Sequence, residues 1–174
     1  MLFTYGCGDN LNKYDNAILD GVASLNTNEP EQAIVDFTNA IKLNRRKAGG
    51  YLGRANALNT LGRYDESIAD YNRAIEIDPK LANAYVNRGI AHSHLGKIRM
   101  AIADYEKGLE LDPEIDDPPG FIRRLFDNVP NREKGIRNHL EYLKKQVKKQ
   151  GERFPVKEAT TGGATDDQSV CRRV

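Results

Sequence analysis

Few residues of this chain have the types and spacing that chemistry requires. His92 and His94 are two residues apart, so on a helix their side chains point to different faces and are poorly placed to share a metal ion. The segment 47–50 (KAGG) lacks the spacing of a phosphate-binding loop. Asp116 and Asp117 are expected to end a helix. We therefore predict no catalytic residue, no metal site and no cofactor, and we expect that the protein is not an enzyme.

The two cysteines, Cys7 and Cys171, lie near opposite ends of the chain, which fits neither a disulfide framework nor a metal cluster. A reducing, cytoplasmic location is the expectation. The first residues, MLFTYGC, end in Gly-Cys as a lipoprotein cleavage site does, but they lack a basic start and a full apolar stretch. A bacterial lipoprotein stays the alternative if the true start lies upstream of Met1.

The distribution of charge is uneven along the chain. The net charge is +1, yet residues 1–120 carry 13 basic against 18 acidic side chains, whereas residues 121–153 carry 10 against 4. The whole-protein charge does not favour nucleic acid or an anionic membrane. No apolar run approaches the roughly 18 residues of a membrane-spanning helix. Residues 1–120 are therefore acidic and residues 121–153 basic.

A repeat of 34 residues organises most of the sequence. Three units, 14–47, 48–81 and 82–115, align without a gap, and we number the positions in each unit from 1 to 34. Small and aromatic residues recur in phase. They are Ala17, Tyr51 and Tyr85 at position 4; Gly21, Ala55 and Gly89 at position 8; Ala33, Ser67 and Ala101 at position 20; Phe37, Tyr71 and Tyr105 at position 24; and Ala40, Ala74 and Gly108 at position 27.

This pattern predicts a helical hairpin in each unit. Small residues let two antiparallel helices approach closely, and the aromatic residues fill the space between them. Gly62 and Gly96 stand where the first helix of a unit should end in a left-handed cap. Pro79 and Pro113 stop the second helix because proline lacks an amide donor. The fold class is therefore expected to be all-α.

The repeat resembles the tetratricopeptide repeat (TPR) family over 102 of the 174 residues. Residues 85–89 (YVNRG) and 101–105 (AIADY) are similar to the commonest sequences of that family, as are residues 69–71 (ADY). The first unit departs from the pattern, with no aromatic at position 4 and no final proline. The resemblance implies an α-solenoid of three hairpins in a right-handed superhelix, and a protein that binds other proteins.

The flanking segments are expected to cap or extend this stack. Residues 1–13 form an N-terminal extension, of which the first 12 should fray, and residues 151–174 are expected to be disordered. Residues 116–150 are interpreted as a degenerate fourth hairpin that covers the last unit. A short helix is indicated by Phe121, Ile122, Leu125 and Phe126, and a longer one over 131–150 by Ile136, Leu140, Leu143 and Val147.

Two arginines occupy position 7, where the TPR family more often has leucine. They are Arg54 and Arg88, while the first unit has Asp20 there. Position 23 is aspartate in all three units. Since the only unit without a predecessor lacks the arginine, we hypothesise that each arginine pairs with the aspartate of the preceding unit: Arg54 with Asp36, and Arg88 with Asp70. Such pairs would fix the stacking register more than they would add stability.

The resemblance implies that the first helix of each unit lines a concave groove, through positions 2, 5, 9, 12 and 13. Those positions are mostly apolar or amide here, and an asparagine can both donate to and accept from the backbone of a bound peptide. We predict that an extended or short helical segment of a partner protein, weakly charged, binds in this groove. The groove residues predicted to bind it are Leu52, Asn56, Asn59, Asn83, Val86, Asn87, Ile90 and His94.

One function of the family is not expected here. Family members that hold the C-terminal carboxylate of chaperones place lysine and arginine at position 5 of one unit and at positions 2 and 6 of a later one. This chain has Ile18 or Leu52 at the first of these, then Asn83 and Asn87. Because the cations that a carboxylate requires are missing, the sequence argues against a chaperone co-factor.

The last predicted helix has a basic face, which leaves a second function class open. Its residues are Arg137, Lys144, Lys145, Lys148 and Lys149. They could make the chain an assembly or targeting module that meets an acidic protein or, if the protein is lipidated, a membrane. Nucleic acid is not the expected partner because no aromatic residue is interleaved for base stacking. Self-association through uncapped hairpins, giving a homo-oligomer, also stays open, and no small-molecule substrate is predicted.

Overall fold

A computed structural model describes residues 7–115 and 135–153 of the chain, with side chains at 13–115 and 135–149. Within those ranges every regular element is a helix, so the predicted all-α class is confirmed. The helices are α1 (Cys7–Asn26), α2 (Pro30–Leu43), α3 (Ala48–Thr60), α4 (Tyr64–Ile77), α5 (Ala82–His94), α6 (Ile98–Leu111) and α7 (Ile136–Arg153).

Each of the three units contains one hairpin, in which an aromatic ring of the second helix lies against a glycine or an alanine of the first. Phe37 of α2 packs so closely on α1 that a Cβ at Gly21 would lie 2.7 Å from its ring. In the third unit a Cβ at Gly89 would lie 2.9 Å from the ring of Tyr105. Alternation of small and bulky residues thus acts through close helix contact, as the sequence predicts.

The turn between the two helices of a unit is the same in all three hairpins. Gly62 and Gly96 have φ values of 72° and 69°, which confirms the predicted left-handed caps. Asn28 occupies the same position of the first unit with a φ of 64°, since asparagine is one of the few residues that tolerate this conformation. One residue with a positive φ at this position therefore sets the turn geometry in all three hairpins.

The hairpins stack so that first helices lie along one side. α1 contacts α3, and α3 contacts α5, whereas α2 with α4 and α4 with α6 make fewer contacts. The first helices of successive units are therefore neighbours along the stack. We call the surface formed by positions 2, 5, 9, 12 and 13 of α1, α3 and α5 the inner wall.

The helices at the two ends differ from their expected bounds. α1 begins at Cys7, inside the segment that was expected to fray, and is 20 residues long against 13 for α3 and α5. α7 runs over Ile136–Arg153 instead of 131–150 and packs against α6. The predicted short helix at 121–126 lies outside the described residues, as do residues 154–174.

The predicted partners of the two arginines are wrong. Arg54 donates from Nε and Nη2 to both carboxylate oxygens of Asp70, at 2.7 and 2.8 Å, and thus pairs within its own unit. Arg88 pairs in the same bidentate way with Asp104 of its own unit, at 2.9 and 2.5 Å. The reason is geometric: positions 7 and 23 face each other inside one hairpin.

The arginines still reach the preceding unit, through their third nitrogen. Nη1 of Arg54 donates to the Thr38 hydroxyl at 3.3 Å, and Nη1 of Arg88 donates to the Asn72 side-chain oxygen at 2.6 Å. Each guanidinium therefore ties three helices together, two of its own unit and the second helix of the unit before. Its planar, forked donor set makes this double role available to arginine and not to lysine.

Candidate functional site

The inner wall is the candidate site, and the predicted groove residues divide there into accessible and buried sets. Asn83 is exposed, and Leu52, Asn56 and His94 are half-buried. The other predicted groove residues are nearly or fully buried, at 1% exposure or less: Asn59, Val86, Asn87 and Ile90.

An amide cluster lies where the second unit meets the third. The side-chain oxygen of Asn56 accepts two hydrogen bonds, one from the Tyr71 hydroxyl at 2.8 Å and one from the Asn87 amide nitrogen at 2.9 Å. A carbonyl oxygen has two lone pairs, so its accepting capacity is used up. The amide nitrogen of Asn56 is the polar group that remains. Asn56 is therefore a fixed hydrogen-bond donor, where the sequence suggested both a donor and an acceptor.

Burial keeps this cluster in one protonation state. Tyr71 is fully buried, and burial raises the pKa of its phenol well above the usual range. The hydroxyl therefore stays protonated and continues to donate to Asn56 at any pH at which the protein is folded. Tyr71 was expected only as a packing residue. The available signal was the pairing of a tyrosine at position 24 with an asparagine at position 9, where the first unit has Phe37 and Val22.

The cluster is not fully satisfied. Both amide atoms of Asn59 and the side-chain oxygen of Asn87 are buried without a hydrogen-bond partner. A buried polar atom without a partner costs about 1–3 kcal/mol. The interface between the second and third units is therefore more polar, and less stably packed, than its apolar neighbours.

The third unit presents much less of its inner wall, because α7 packs there. Val86 and Ile90 belong to the same hydrophobic core cluster as Ile136, Leu140 and Leu143 of α7. Further along α5, the Ser93 hydroxyl and Nε2 of His139 are 3.2 Å apart, at hydrogen-bond distance. These contacts leave the first two units, with Asn83 and His94, as the accessible inner wall.

The first unit contributes an apolar stretch to that wall. Val22, at position 9, is 44% exposed, and Ile18 and Leu25 on either side of it are half-buried. Leu52, at position 5 of the next unit, is also half-buried, so the wall passes from aliphatic side chains to the amide of Asn56. Such a surface suits a ligand that has both an apolar side chain and a backbone carbonyl.

His92 and His94 have different environments. His92 is buried beside Asp104, with Nε2 3.7 Å from its carboxylate, whereas the His94 ring stacks on Tyr64 at 4.7 Å between centroids. The prediction that these two side chains point to different faces is confirmed. The buried Nδ1 of His92 has no hydrogen-bond partner. Among the described residues no group of three or more histidine, cysteine or acidic side chains could hold a metal ion.

His139 is the residue near the inner wall that the sequence did not single out. Its ring is nearly perpendicular to the Tyr105 ring of α6, with 5.6 Å between the ring centroids. Burial, with a smaller contribution from the nearby His94, lowers the pKa of His139 to about 4. The imidazole is therefore neutral at neutral pH, as a core position requires.

The predicted basic face is present on α7, but part of it is occupied. Arg137 donates to the backbone oxygen of Pro113 at 2.6 Å, and Lys144 forms ion pairs with Glu106 at 3.2 Å and Glu141 at 3.5 Å. All five residues of the face are exposed, including Lys145, Lys148 and Lys149. In the part of the chain that the structure describes, no helix has the length and apolar character to cross a membrane.

Comparison with known proteins agrees with this architecture. A sequence profile described as "TPR repeat" matches residues 55–96, and one described as "Tetratricopeptide repeat" matches residues 82–115. No curated protein sequence matches the chain. The stacked hairpins define the chain as a helical-repeat protein. It contains tetratricopeptide repeats, which the two profiles match over residues 55–115.

Solved structures of TPR domains resemble the whole described stack. The chain is 25% identical to the Arabidopsis OM64 TPR domain, with a TM-score of 0.62 over 81% of this chain and 98% of that one. It is 25% identical to the TPR2B domain of yeast Sti1 in complex with pHsp70, with a TM-score of 0.60 over 79% and 98%. The Sgt2 TPR domain from Aspergillus fumigatus is 20% identical, with a TM-score of 0.64 over 91% of each chain.

Proposed function

We propose that this protein is a non-enzymatic adaptor that binds a peptide segment of a partner protein along its inner wall. A role in protein interaction is supported in general by the TPR fold and by neighbours solved with bound peptides. The observation that carries the more specific proposal is the orientation of Asn56. Because Tyr71 and Asn87 both donate to its oxygen, its amide nitrogen is held as a donor without the entropy loss that a mobile side chain would pay.

The proposed ligand follows from the order of side chains along the wall. An aliphatic side chain would contact Val22, Ile18 and Leu25 in the first unit, and a backbone carbonyl would accept from Asn56 in the second. Asn83 and His94 lie at the accessible far end. We propose a weakly charged segment, extended or with a short helical turn, because these positions contribute no charge to the contact.

The ligand proposed here differs from the chaperone peptides of some neighbours. The Sti1 domain is in complex with pHsp70, whereas this chain has Leu52, Asn83 and Asn87 at the positions where carboxylate-binding members place cations. Asn87 is moreover buried, and its amide nitrogen already donates to Asn56. We propose that chaperone C-terminal peptides bind weakly or not at all.

The test begins with a partner recovered by crosslinking and narrowed to a peptide. Replacing Asn56 and Asn83 together by Ala should lower its affinity about tenfold or more, since two amide contacts are lost. Asn39→Ala is the matched control, an exposed asparagine of α2 away from the inner wall. Unchanged affinity of the double variant would refute the assignment.

A second substitution isolates the donor. Asn56→Asp keeps oxygens that can accept from Tyr71 and Asn87 but removes the amide donor, so peptide affinity should fall while the melting temperature changes little. A loss in the free energy of unfolding as large as the loss in the free energy of binding would mean that Asn56 has only a structural role. A C-terminal chaperone peptide serves as the comparison ligand, and tight binding of it would overturn the proposed ligand chemistry.

The exposed lysines of α7 support an alternative function, in assembly or targeting. Lys145, Lys148 and Lys149 are exposed on α7 and are not among the residues of that helix in the core cluster. An acidic partner bound there would dissociate steeply as salt is raised, because surface ion pairs are screened. Triple replacement by glutamine, with binding measured at two salt concentrations, separates this function from peptide binding on the inner wall.

A further inference from the structure

The first helices of the second and third units bury one side under the preceding unit. In α3 this side includes Gly50 and Ala57, and in α5 it includes Ala84 and Ala91, all buried. These residues stand at positions 3 and 10. The second helix of the preceding unit lies on them: a Cβ at Gly50 would come within 2.9 Å of the Ile41 side chain of α2.

The same side of α1 is exposed in the part of the chain that the structure describes. Asn16 and Ala23, at positions 3 and 10, are exposed, and Leu19 at position 6 is 66% exposed. Position 10 is alanine in all three units, fully buried at Ala57 and Ala91. α1 therefore keeps the small residue that lets a helix approach, and beside it a large apolar side chain that faces water. We call Asn16, Leu19, Asp20 and Ala23 the end face.

The charge of the end face indicates what could cover it. At position 7 the arginines of α3 and α5 reach a polar side chain of the preceding second helix, Thr38 or Asn72. α1 has the exposed Asp20 at that position instead. A helix lying on α1 as α2 lies on α3 would place its residue equivalent to Thr38 near this carboxylate, so a lysine or arginine there would be complementary.

The shape of the end face adds a second requirement. Position 6 is Gly53 in α3, and the Phe37 ring of α2 occupies the space above it. On α1 the same position is Leu19, so a bulky ring would collide with it. A docking helix must therefore carry a small residue where α2 has phenylalanine.

The described helices of this chain do not supply the occupant. α2 is covered by α3, α4 by α5, and α6 by α7. We propose that the end face docks an amphipathic helix of a partner protein, which presents a basic residue to Asp20 and a small residue to Leu19. This surface is distinct from the inner wall, so the proposal stands independently of peptide binding there.

The test uses a peptide that already has the right helix register. Its sequence is that of α4, residues 64–77, with Tyr71→Ala to accommodate Leu19, Asn72→Arg to meet Asp20, and a side-chain lactam on the far side to hold the helix. The control peptide carries Asn72→Glu. Backbone amide shifts of the ¹⁵N-labelled full-length protein should change at Asn16–Ala23, and the arginine peptide should bind about three- to tenfold more tightly.

Charge reversal decides whether the contact is specific. Asp20 is exposed, and in the variant Asp20→Arg the glutamate peptide should bind more tightly than the arginine peptide. Leu19→Lys should weaken the binding of both peptides. Equal affinities for the two peptides, shifts centred on Asn56 and Asn83 of the inner wall, or no saturable binding at millimolar peptide would overturn the proposal. Sedimentation of the peptide-free protein is the last arm: self-association that Leu19→Lys abolishes would mean that a second copy covers the end face, which also overturns it.

Discussion

The Tyr71 hydroxyl donates a 2.8 Å hydrogen bond to the side-chain oxygen of Asn56, across the hairpin of the second unit. The third unit has a tyrosine at the same position, Tyr105, but Ile90 replaces the asparagine, and the Tyr105 hydroxyl is buried with no hydrogen-bond partner. Two fully buried tyrosines thus differ in whether the hydroxyl has a hydrogen-bond partner. This difference gives the amide cluster an internal control.

Replacing Tyr71 by Phe should destabilise the protein by about 1–2 kcal/mol, because the oxygen of Asn56 loses one of its two donors inside the protein. The same change at Tyr105 should be neutral or slightly stabilising, since it removes an unsatisfied hydroxyl. Urea denaturation of both variants measures the difference through the midpoint at constant slope. Equal losses in the two variants would show that the Tyr71 bond contributes nothing.

Asn59 is a second place where the amide cluster can be improved. Both of its amide atoms are buried without a partner, and the first unit has Leu25 at the same position. Asn59→Leu removes the unmet polar atoms at similar volume and should stabilise the protein by about 1 kcal/mol. Thermal unfolding gives the measurement. A lower melting temperature would instead indicate that Asn59 has polar contacts in solution. A change in peptide affinity would indicate that Asn59 belongs to the binding surface.

The hairpins could be predicted from sequence because their determinants are local and repeat three times. A glycine or asparagine with positive φ ends each first helix, and a ring fits each glycine or alanine opposite.

The same repetition explains why the partner of Arg88 was predicted wrongly. Periodicity shows which face of a helix a residue occupies, but Asp70 and Asp104 occupy the same face in neighbouring units. Only coordinates distinguish the two.

The extent of the inner wall could not be predicted because it depends on a helix outside the repeat. α7 follows a segment that breaks the 34-residue period, so no position number relates His139 to Ser93. Val86 and Ile90 were therefore assigned to an open groove, although both are buried in the core cluster that α7 completes. Their role as binding residues stays untested.

Acidification should weaken the packing of α7 through His139. Burial lowers the folded-state pKa of this histidine to about 4, below the 6.5 of an exposed imidazole, so the unfolded chain takes up the proton first as pH falls. Its contribution is complete above pH 6.5 and is lost as the pH falls toward 4, at a cost of about 1–3 kcal/mol. Urea denaturation at several pH values checks this.

His139→Gln supplies the control for that pH series, because glutamine does not titrate. The variant should be less stable at neutral pH but should lose less further stability between pH 6.5 and 4. Burial also lowers the pKa of His92, although Asp104 opposes this, so a smaller slope of the same sign should remain. An unchanged slope in His139→Gln would show that this histidine is not the group responsible.

The bidentate pair between Arg88 and Asp104 offers the sharpest test of how the units are joined. The Asp104 side chain is 8% exposed, so Arg88→Met leaves a buried carboxylate without its main partner and should cost about 3–5 kcal/mol. Adding Asp104→Leu removes that carboxylate and should recover most of the loss, because a well-packed apolar pair can replace a buried ion pair. The double-mutant cycle, read by urea denaturation, gives the coupling energy. Additive losses would show that the pair is not coupled, and the bond from Arg88 to Asn72 of the preceding unit would then be its main contribution.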